Sequence, residues 1–256
     1  MNSNILKVDN MDKLVNEEVD TTNSQLHELL PKSPFRMLIL GTSGAGKSNL
    51  LLCMVLKMLV YDKVYIYSKH LEQSKYKFLK QHLETLEDTI EKECEHKIKI
   101  LEHFENTLDK LPRPEDFDKD FRNLVIIDDF ALTNKKNLDR IGELYVRGRH
   151  HGVSTIFLTQ LYFRIPRDFR LNTNYLALFN SYNKRELSSL SQELGGDLPK
   201  GKFTQLYNTI LSEPYNFFYI DNTTNNPMRR YRKNFDGLYR GELDDAGVKI
   251  EDFVSN

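Results

Sequence analysis

The chain has 256 residues, of which 39% are hydrophobic and 29% are charged, a balance typical of a globular protein with one large α/β domain or two small ones. Its formal net charge of −1 argues neither for nor against a nucleic-acid partner, and its two cysteines exclude a disulfide-rich secreted scaffold. The longest apolar stretch, residues 50–61, is interrupted by Lys57 and is too short to span a bilayer, so we expect a soluble intracellular protein without a membrane segment.

The chain opens with a polar stretch and then turns apolar. Residues 1–32 predict an acidic N-terminal arm that is either disordered or packed on a neighbour. The run Phe35–Leu40 predicts a buried strand, and Lys47–Leu59 predicts a helix. The segment between them therefore connects the end of a strand to the start of a helix.

That connecting segment, GTSGAGKS, matches the P-loop pattern G-x-x-x-x-G-K-[ST] at every fixed position. Its glycines let the backbone N–H groups point inward as an anion nest, and the helix N-terminus adds partial positive charge. Lys47 can reach the β- and γ-phosphates of ATP, and Ser48 can ligate Mg²⁺. The predicted ATP-binding residues are Gly41, Thr42, Ser43, Gly44, Ala45, Gly46, Lys47, Ser48 and Asn49.

A second strand is predicted at Lys63–Tyr67, and a long apolar pattern follows it. From Tyr76 to Leu108 apolar residues recur at steps of three and four, which predicts a long helix or helical hairpin inserted over about residues 71–111. Two interpretations stay open: the insertion packs on its own domain, or it makes a coiled-coil-like contact with another subunit.

The next strand is predicted at Leu124–Ile127 and delivers two acids at its carboxyl end, the Walker B arrangement. We expect Asp128 to hold Mg²⁺ and Asp129 to act as the general base that polarises the attacking water. Alternatively, the pair only caps the strand. Aspartate is one methylene shorter than the glutamate that is commonest at this position in related ATPases.

A helix predicted at about Asn137–Arg149 leads into a strand at Val153–Leu158, which ends near Gln160. We expect Gln160 to contact the γ-phosphate as a sensor; a simple strand cap is the alternative. The later predicted elements are strands at Tyr175–Phe179, Asn216–Ile220 and Met228–Tyr231 and a helix at Lys184–Leu194.

Strands alternating with helices predict an α/β P-loop NTPase fold of the RecA or ASCE type, with a mostly parallel central sheet flanked by helices. The ATPase domain is predicted to span residues 33–235, followed by an acidic tail over 236–256. A GTPase is disfavoured, because Asp128 lacks the D-x-x-G continuation and the N-K-x-D-like run at 183–186 ends in Glu186.

Arginines cluster in the second half of the chain. Residues 140–170 contain six arginines against two acids, a segregation typical of a basic patch on a neutral protein. Such patches suit backbone phosphates, although solvated surface arginines give the same pattern. The DNA-binding candidates are Arg164, Arg167, Arg170, Arg229, Arg230 and Arg232.

Four motifs together resemble a known family. The P-loop, the acid strand, the run Arg147–Ser154 (RGRHHGVS) and the strand end Leu158–Gln160 look like those of the genome-packaging ATPases of poxviruses, other large DNA viruses and virophages, within the FtsK–HerA superfamily. The resemblance covers roughly residues 35–235. Asp129 in place of glutamate and the long acidic stretch before the acid strand depart from the common pattern.

The resemblance implies a homo-oligomeric ring that threads double-stranded DNA and uses ATP with Mg²⁺ bound between subunits. An arginine of one subunit would complete the neighbouring site, and Arg147 and Arg149 are the candidates, although either could simply cap its own helix. The resemblance also implies capsid partners and a location in the host cytoplasm. The alternatives are another P-loop enzyme, such as a DNA helicase or nucleotide kinase, and a non-catalytic protein whose binding to DNA or capsid is gated by nucleotide.

Overall fold

The computed structural model describes residues 27–94, 97–130, 133–180, 184–196, 198–241 and 248–255. The strands in chain order are β1 Arg36–Leu40, β2 Lys63–Ser68, β3 Leu101–Glu105, β4 Asn123–Asp128, β5 Val153–Thr159, β6 Tyr175–Leu178, β7 Phe218–Asp221, β8 Tyr231–Lys233, β9 Gly237–Tyr239 and β10 Phe253–Ser255. The α-helices are α1 Lys47–Cys53, α2 Ser74–Cys94, α3 Lys135–Arg147, α4 Arg167–Leu171, α5 Lys184–Leu194, α6 Lys202–Ile210 and α7 Pro227–Arg230. A π-helical turn, Met54–Met58, continues α1.

The described strands form one ten-stranded sheet in the order β10-β9-β8-β7-β6-β1-β5-β4-β2-β3. The six strands from β6 to β3 run parallel, and β7 to β10 extend the sheet antiparallel. Strand β5 therefore lies between the P-loop strand β1 and the acid strand β4. The predicted fold class is confirmed, since parallel strands joined through helices dominate the centre.

Alternation along the central strands builds a hydrophobic core on each face of the sheet. Met37 and Ile39 of β1 enter one core with α1 and the first half of α2, whereas Leu38 and Leu40 enter the other with α3, α5 and α6. A strand covered on both faces reads as a continuous apolar run, which explains the pattern of Phe35–Leu40. Among the described residues, no helix is both long and apolar enough to cross a membrane.

The prediction of a long helix or helical hairpin over residues 71–111 is wrong in its second half. Helix α2 ends at Cys94, and Leu101–Glu105 instead form the edge strand β3, which pairs with β2 in parallel. The carboxylate of Glu87 accepts hydrogen bonds from the backbone N–H groups of Ile100 and Leu101, each at 2.6 Å, and so secures the start of the strand. The spacing of Ile98, Leu101 and Phe104 resembles that of a helix, and only the pairing with β2 reveals the strand.

Several other boundaries differ from their predictions. Helix α3 spans Lys135–Arg147 and continues as a 3-10 turn through His151, while Met228 lies in α7 and not in a strand. The sheet includes β9 and β10, so described residues within 236–256 pack as part of the domain and do not form a separate tail. Of the predicted N-terminal arm, residues 1–26 lie outside the described residues, and Leu29 and Leu30 are buried in the core.

Candidate functional site

The P-loop forms the turn between β1 and α1 at the carboxyl edge of the parallel strands. Gly44 and Gly46 have φ angles of 77° and 112°, in the region that favours glycine. A Cβ atom on Gly46 would also lie 3.1 Å from the ring of Phe179. The glycines therefore permit both the curl of the backbone and its close packing, as an anion-binding nest requires.

Lys47 lies at the first position of α1 and is half-buried. Its Nζ donates hydrogen bonds to the carbonyl oxygens of Gly41 at 2.8 Å and Thr42 at 2.9 Å. Burial lowers the pKa of Lys47, while the nearby carboxylates of Asp128 and Asp129 act to raise it. The ammonium group is thus held over the loop, beside the two acids of the neighbouring strand.

Asp128 is the last residue of β4, and its carboxylate is almost entirely buried. Its Oδ2 accepts hydrogen bonds from the hydroxyls of Tyr76 at 2.6 Å and Ser68 at 3.4 Å. Burial raises the pKa of Asp128 above its ordinary value, and the hydrogen bond from Tyr76 opposes that shift. Because burial also raises the pKa of Tyr76, this phenol keeps its proton and remains a donor to Asp128.

Asp129 follows in a left-handed backbone conformation, with φ of 62°, which is uncommon for a residue other than glycine. Its N–H donates to the carbonyl of Leu158 on β5 at 3.3 Å, which fixes the turn. The Oδ2 atom lies 3.0 Å from Nε2 of His70, which follows β2. The carboxylate is 38% exposed, so it is oriented by His70 yet still open to the cavity.

These groups surround one cavity of about 680 Å³, a volume within the range of small-molecule sites. Ser43, Gly44 and Gly46–Asn49 contribute to one wall, and Asp128, Asp129 and Gln160 contribute to another. Gln160 is exposed directly after β5, at the position predicted for the sensor. The fold thus brings Lys47, Asp128, Asp129 and Gln160 together at one edge of the sheet.

The donor set of this cavity fits a magnesium ion bound together with nucleotide phosphates. Ser48 and Asp128 both line the cavity and offer hard oxygen ligands, the type that Mg²⁺ prefers. The part of the chain that the structure describes holds no cluster of three or more His, Cys, Asp or Glu side chains able to bind a metal on its own. Mg²⁺ sites typically combine one or two carboxylates with substrate phosphates, which matches this arrangement.

Arg147 and Arg149 lie at the opposite edge of the sheet. Helix α3 ends at Arg147, just before β5 begins at Val153, whereas the P-loop edge is reached at Thr159. At about 3.3 Å per residue, β5 separates the two edges by about 20 Å. Both arginines are exposed, and Arg147 pairs with Glu143 on its own helix. Neither can therefore reach the cavity of its own chain.

The first group of predicted DNA contacts divides into two kinds. Arg164 and Arg167 are exposed on the segment that follows Gln160. Arg170 instead donates to Glu193 at 2.7 Å, and its guanidinium lies 4.9 Å from the centre of the Tyr162 ring. Arg170 is held within its own domain by these contacts, so it no longer counts among the candidates for DNA.

In the second group, the prediction that Arg232 contacts DNA is wrong, because its side chain is completely buried. The Arg232 guanidinium donates to the carbonyls of Leu29 at 2.9 Å and Phe235 at 2.8 Å, and it therefore ties the start of the domain to the sheet. Arg230 is half-buried and donates to Asn222 at 3.1 Å, whereas Arg229 is exposed and lies 3.6 Å from Glu28. Arg229 alone of this group keeps an outward-facing guanidinium.

Sequence reasoning missed several side chains around the two acids and the P-loop. The ring of Tyr76 fits the apolar pattern of α2, but its hydroxyl contacts Asp128. Ser68 ends β2 and His70 follows it, and polar residues at the end of a strand beside the acid strand are the signal that could have revealed them. Phe179 and Tyr215 line the cavity from β6 and from the turn before β7, which no local motif indicates.

A P-loop after β1, two acids at the carboxyl end of β4 and a polar residue after the intervening strand β5 define a P-loop NTPase fold in which an additional strand separates the two motifs. The chain belongs to the poxvirus A32 protein family, whose model matches residues 23–198. The resemblance to the packaging ATPases of large DNA viruses is thereby confirmed at the level of the family. A search of curated proteins gave no match.

Two solved structures share this fold. B204, the DNA-packaging ATPase from Sulfolobus turreted icosahedral virus, is 15% identical, with 80% of this chain and 98% of that chain covered and a TM-score of 0.52. The genome packaging NTPase B204 from Sulfolobus turreted icosahedral virus 2, in complex with ATP-gammaS, is 16% identical, with coverage of 79% and 98% and a TM-score of 0.51. At these identities the likeness supports the P-loop fold alone.

Proposed function

We propose that the protein is an ATP-driven translocase of double-stranded DNA that packages a viral genome into a capsid. The observation that carries this proposal is the convergence of Lys47, Asp128, Asp129 and Gln160 on one cavity of a chain in the poxvirus A32 protein family. The two B204 structures support it, since both are described as packaging NTPases or ATPases. The host cytoplasm and capsid proteins follow as its setting and partners.

The site residues divide the chemistry of ATP hydrolysis among them. The P-loop N–H groups and Lys47 bind the β- and γ-phosphates, and Gln160 contacts the γ-phosphate. Ser48 and Asp128 would hold Mg²⁺, which supplies charge neutralisation on the phosphates when bound. Asp129 accepts the proton of the attacking water, and His70 orients its carboxylate across 3.0 Å. The left-handed backbone of Asp129 and its contact with His70 thus direct the short carboxylate towards the cavity.

The two acids are expected to fail in different ways when each is neutralised. Asp128→Asn should weaken Mg²⁺-dependent ATP binding as well as turnover, because it removes the anionic oxygen ligand. Asp129→Asn should keep binding and lower kcat by about 10²–10⁴-fold, since a base contributes in the transition state. Titration with a non-hydrolysable ATP analogue, with and without Mg²⁺, alongside single-turnover hydrolysis measures both effects.

Both substitutions are nearly isosteric, and an asparagine at position 128 can still accept the hydrogen bond from Tyr76. Thermal unfolding of each variant provides the control for folding. An equal loss of nucleotide affinity in both variants would refute this division of roles.

The experiment that tests the proposed function is steady-state ATP hydrolysis with and without linear duplex DNA. A translocase is expected to hydrolyse ATP faster on the duplex and to displace no strand from a substrate without single-stranded ends. Strand displacement would instead favour a helicase, and phosphoryl transfer to a nucleotide would favour a kinase. Nucleotide-dependent DNA binding without any turnover would favour the non-catalytic alternative.

DNA contacts are proposed at Arg164 and Arg167, which are exposed beside Gln160 at the nucleotide edge. Replacing both with alanine should reduce the magnitude of the slope of log K against log salt by roughly 2, because each phosphate contact contributes about 0.9. Affinity should fall to a similar degree on any duplex sequence, since phosphate contacts do not read bases. Binding of a labelled duplex at a series of salt concentrations measures the slope.

A charge-matched control is the double variant Lys77→Ala and Lys80→Ala on α2, which removes two positive charges elsewhere and should leave the slope unchanged. Arg229→Ala tests the rival surface. If the slope responds to Arg229 and not to Arg164 and Arg167, the DNA surface lies at the opposite edge of the sheet.

A further inference from the structure

The nucleotide cavity has a polar end and an aromatic end. Asp128, Asp129 and Gln160 line it from the side of β4 and β5, while Phe179, just after β6, and Tyr215, in the turn before β7, line the other end. The sheet order β7-β6-β1-β5-β4 places the P-loop strand between these two ends. The aromatic end is therefore the side of the P-loop that faces away from the catalytic acids.

This order fixes the direction in which a bound nucleotide would lie. In the proposed function the γ-phosphate faces Asp129 and Gln160, the residues assigned to hydrolysis. The chain of phosphates would then cross the P-loop, which would place the sugar and base on the side of β6. The P-loop already contacts that side, since the N–H of Thr42 donates to the carbonyl of Asn180 at 3.3 Å.

Phe179 and Tyr215 differ in how much of each ring is available. Phe179 is 3% exposed and packs behind the P-loop, against Gly46 and the ring of Phe217. Tyr215 is 77% exposed, the largest value among the exposed large hydrophobic side chains of the described residues. Because Tyr215 combines this exposure with a position in the cavity wall, the ring is available to a bound ligand.

The backbone holds Tyr215 in this position at some conformational cost. Its φ angle is 65°, uncommon for a bulky residue, and such outliers concentrate at ligand sites. The turn is braced by Glu213, which accepts hydrogen bonds from Lys233 and Asn216, each at 2.8 Å. Asn234 adds a hydrogen bond from the N–H of Phe217 at 3.1 Å. The exposed ring thus stands on a turn that is anchored to the sheet on both sides.

We propose that Tyr215 is a stacking platform for the base of the bound nucleotide. The inference rests on the proposed function in requiring that the P-loop bind a nucleoside triphosphate with its γ-phosphate towards Asp129 and Gln160. An aromatic ring stacks on any base and does not read its edges. Tyr215 therefore contributes affinity for the nucleoside part of ATP or GTP, while the triphosphate depends on the P-loop alone.

The test measures binding of three probes, a non-hydrolysable ATP analogue, the matching GTP analogue and inorganic tripolyphosphate, to the full chain. Tyr215→Ala should weaken both nucleotides by roughly 5- to 150-fold, the range of stacking contributions, and leave tripolyphosphate binding unchanged. Tyr215→Phe keeps the ring and should bind all three probes as the wild type does. Phe121→Ala, at an exposed aromatic outside the cavity lining, is the matched control and should change none of them.

Each contrary outcome has a distinct meaning. Wild-type affinity for both nucleotides in Tyr215→Ala would overturn the platform while leaving the P-loop function intact. A loss confined to one nucleotide, or an equal loss in Tyr215→Phe, would show recognition through a base edge or the hydroxyl and would also overturn stacking. Weakened tripolyphosphate binding in Tyr215→Ala would reassign the residue to support of the P-loop. A wild-type protein that binds none of the probes would overturn the proposed function itself.

Discussion

Replacing Lys47 with alanine is expected to eliminate ATP turnover and leave the protein folded. The ammonium group is the cation that the P-loop directs at the β- and γ-phosphates, and alanine offers no substitute. The folded state loses the hydrogen bonds to the carbonyls of Gly41 and Thr42 and the attraction of Lys47 to Asp128 and Asp129, all within the P-loop edge and outside the hydrophobic core. Phosphate release under saturating ATP measures the first effect, and thermal unfolding measures the second.

Lys80→Ala is the matched control for this variant, because Lys80 pairs with Glu84 on the outer face of α2, outside the cavity lining. Surface ion pairs of this kind contribute about 0.3–0.5 kcal/mol, so both turnover and unfolding should stay near wild type. Lys47→Arg should be as inactive as alanine, since a planar fork cannot replace a compact ammonium inside the loop. Persisting turnover in Lys47→Ala would remove the P-loop from the reaction.

The parts of the site that the sequence predicts are those that a short stretch of chain determines. Gly41–Ser48 carries its own glycines, lysine and serine, and its backbone geometry follows from the neighbouring strand and helix. Asp128 is recognisable because it directly follows a continuous apolar run, the pattern of a strand buried on both faces. Gln160 required one further assumption, that β5 lies between β1 and β4, and the sheet order confirms it.

The remaining features depend on contacts between distant parts of the chain. Tyr76 donates a hydrogen bond to Asp128, which lies 52 residues later in the sequence. Arg232 donates one to the carbonyl of Leu29, which lies 203 residues earlier. A basic residue in a polar run looks exposed until the fold supplies carbonyl acceptors for it, which is why Arg232 was misassigned. The apolar residues of β3 have the spacing of a helix, so the sequence pattern predicts a helix there. The segment forms a strand because β2 offers it an unpaired edge of the sheet.

The position of the arginines bears on how a ring would work. Arg147 and Arg149 lie about 20 Å from their own P-loop, given the length of β5, so neither can stabilise charge on a phosphate bound there. Burial and then repulsion by Arg149 lower the pKa of Arg36, which indicates that Arg149 adds to a positive field at this edge. An edge of this kind would complement the phosphates of a neighbouring subunit in a ring.

Mixing two inactive variants is expected to restore ATP hydrolysis if an arginine acts in the neighbouring site. Arg149→Ala, or Arg147→Ala, keeps an intact P-loop, whereas Lys47→Ala keeps an intact arginine. With equal amounts and random exchange, about a quarter of interfaces combine both intact parts, so turnover should return to about a quarter of wild type, against a roughly 10³–10⁵-fold loss in the pure arginine variant. Phosphate release from mixed and unmixed samples measures this rescue.

The control replaces the second partner with a protein that carries both Lys47→Ala and the same arginine substitution. No interface in that mixture combines an intact P-loop with the intact arginine, so activity should stay at the level of the pure variants. Subunit exchange is followed independently with labelled chains, because rescue requires mixed rings. An arginine acting within its own chain, or an enzyme active as a monomer, gives no rescue in either mixture. Exchange without rescue for both Arg147 and Arg149 would therefore overturn the trans-acting arginine and remove the mechanistic argument for a ring.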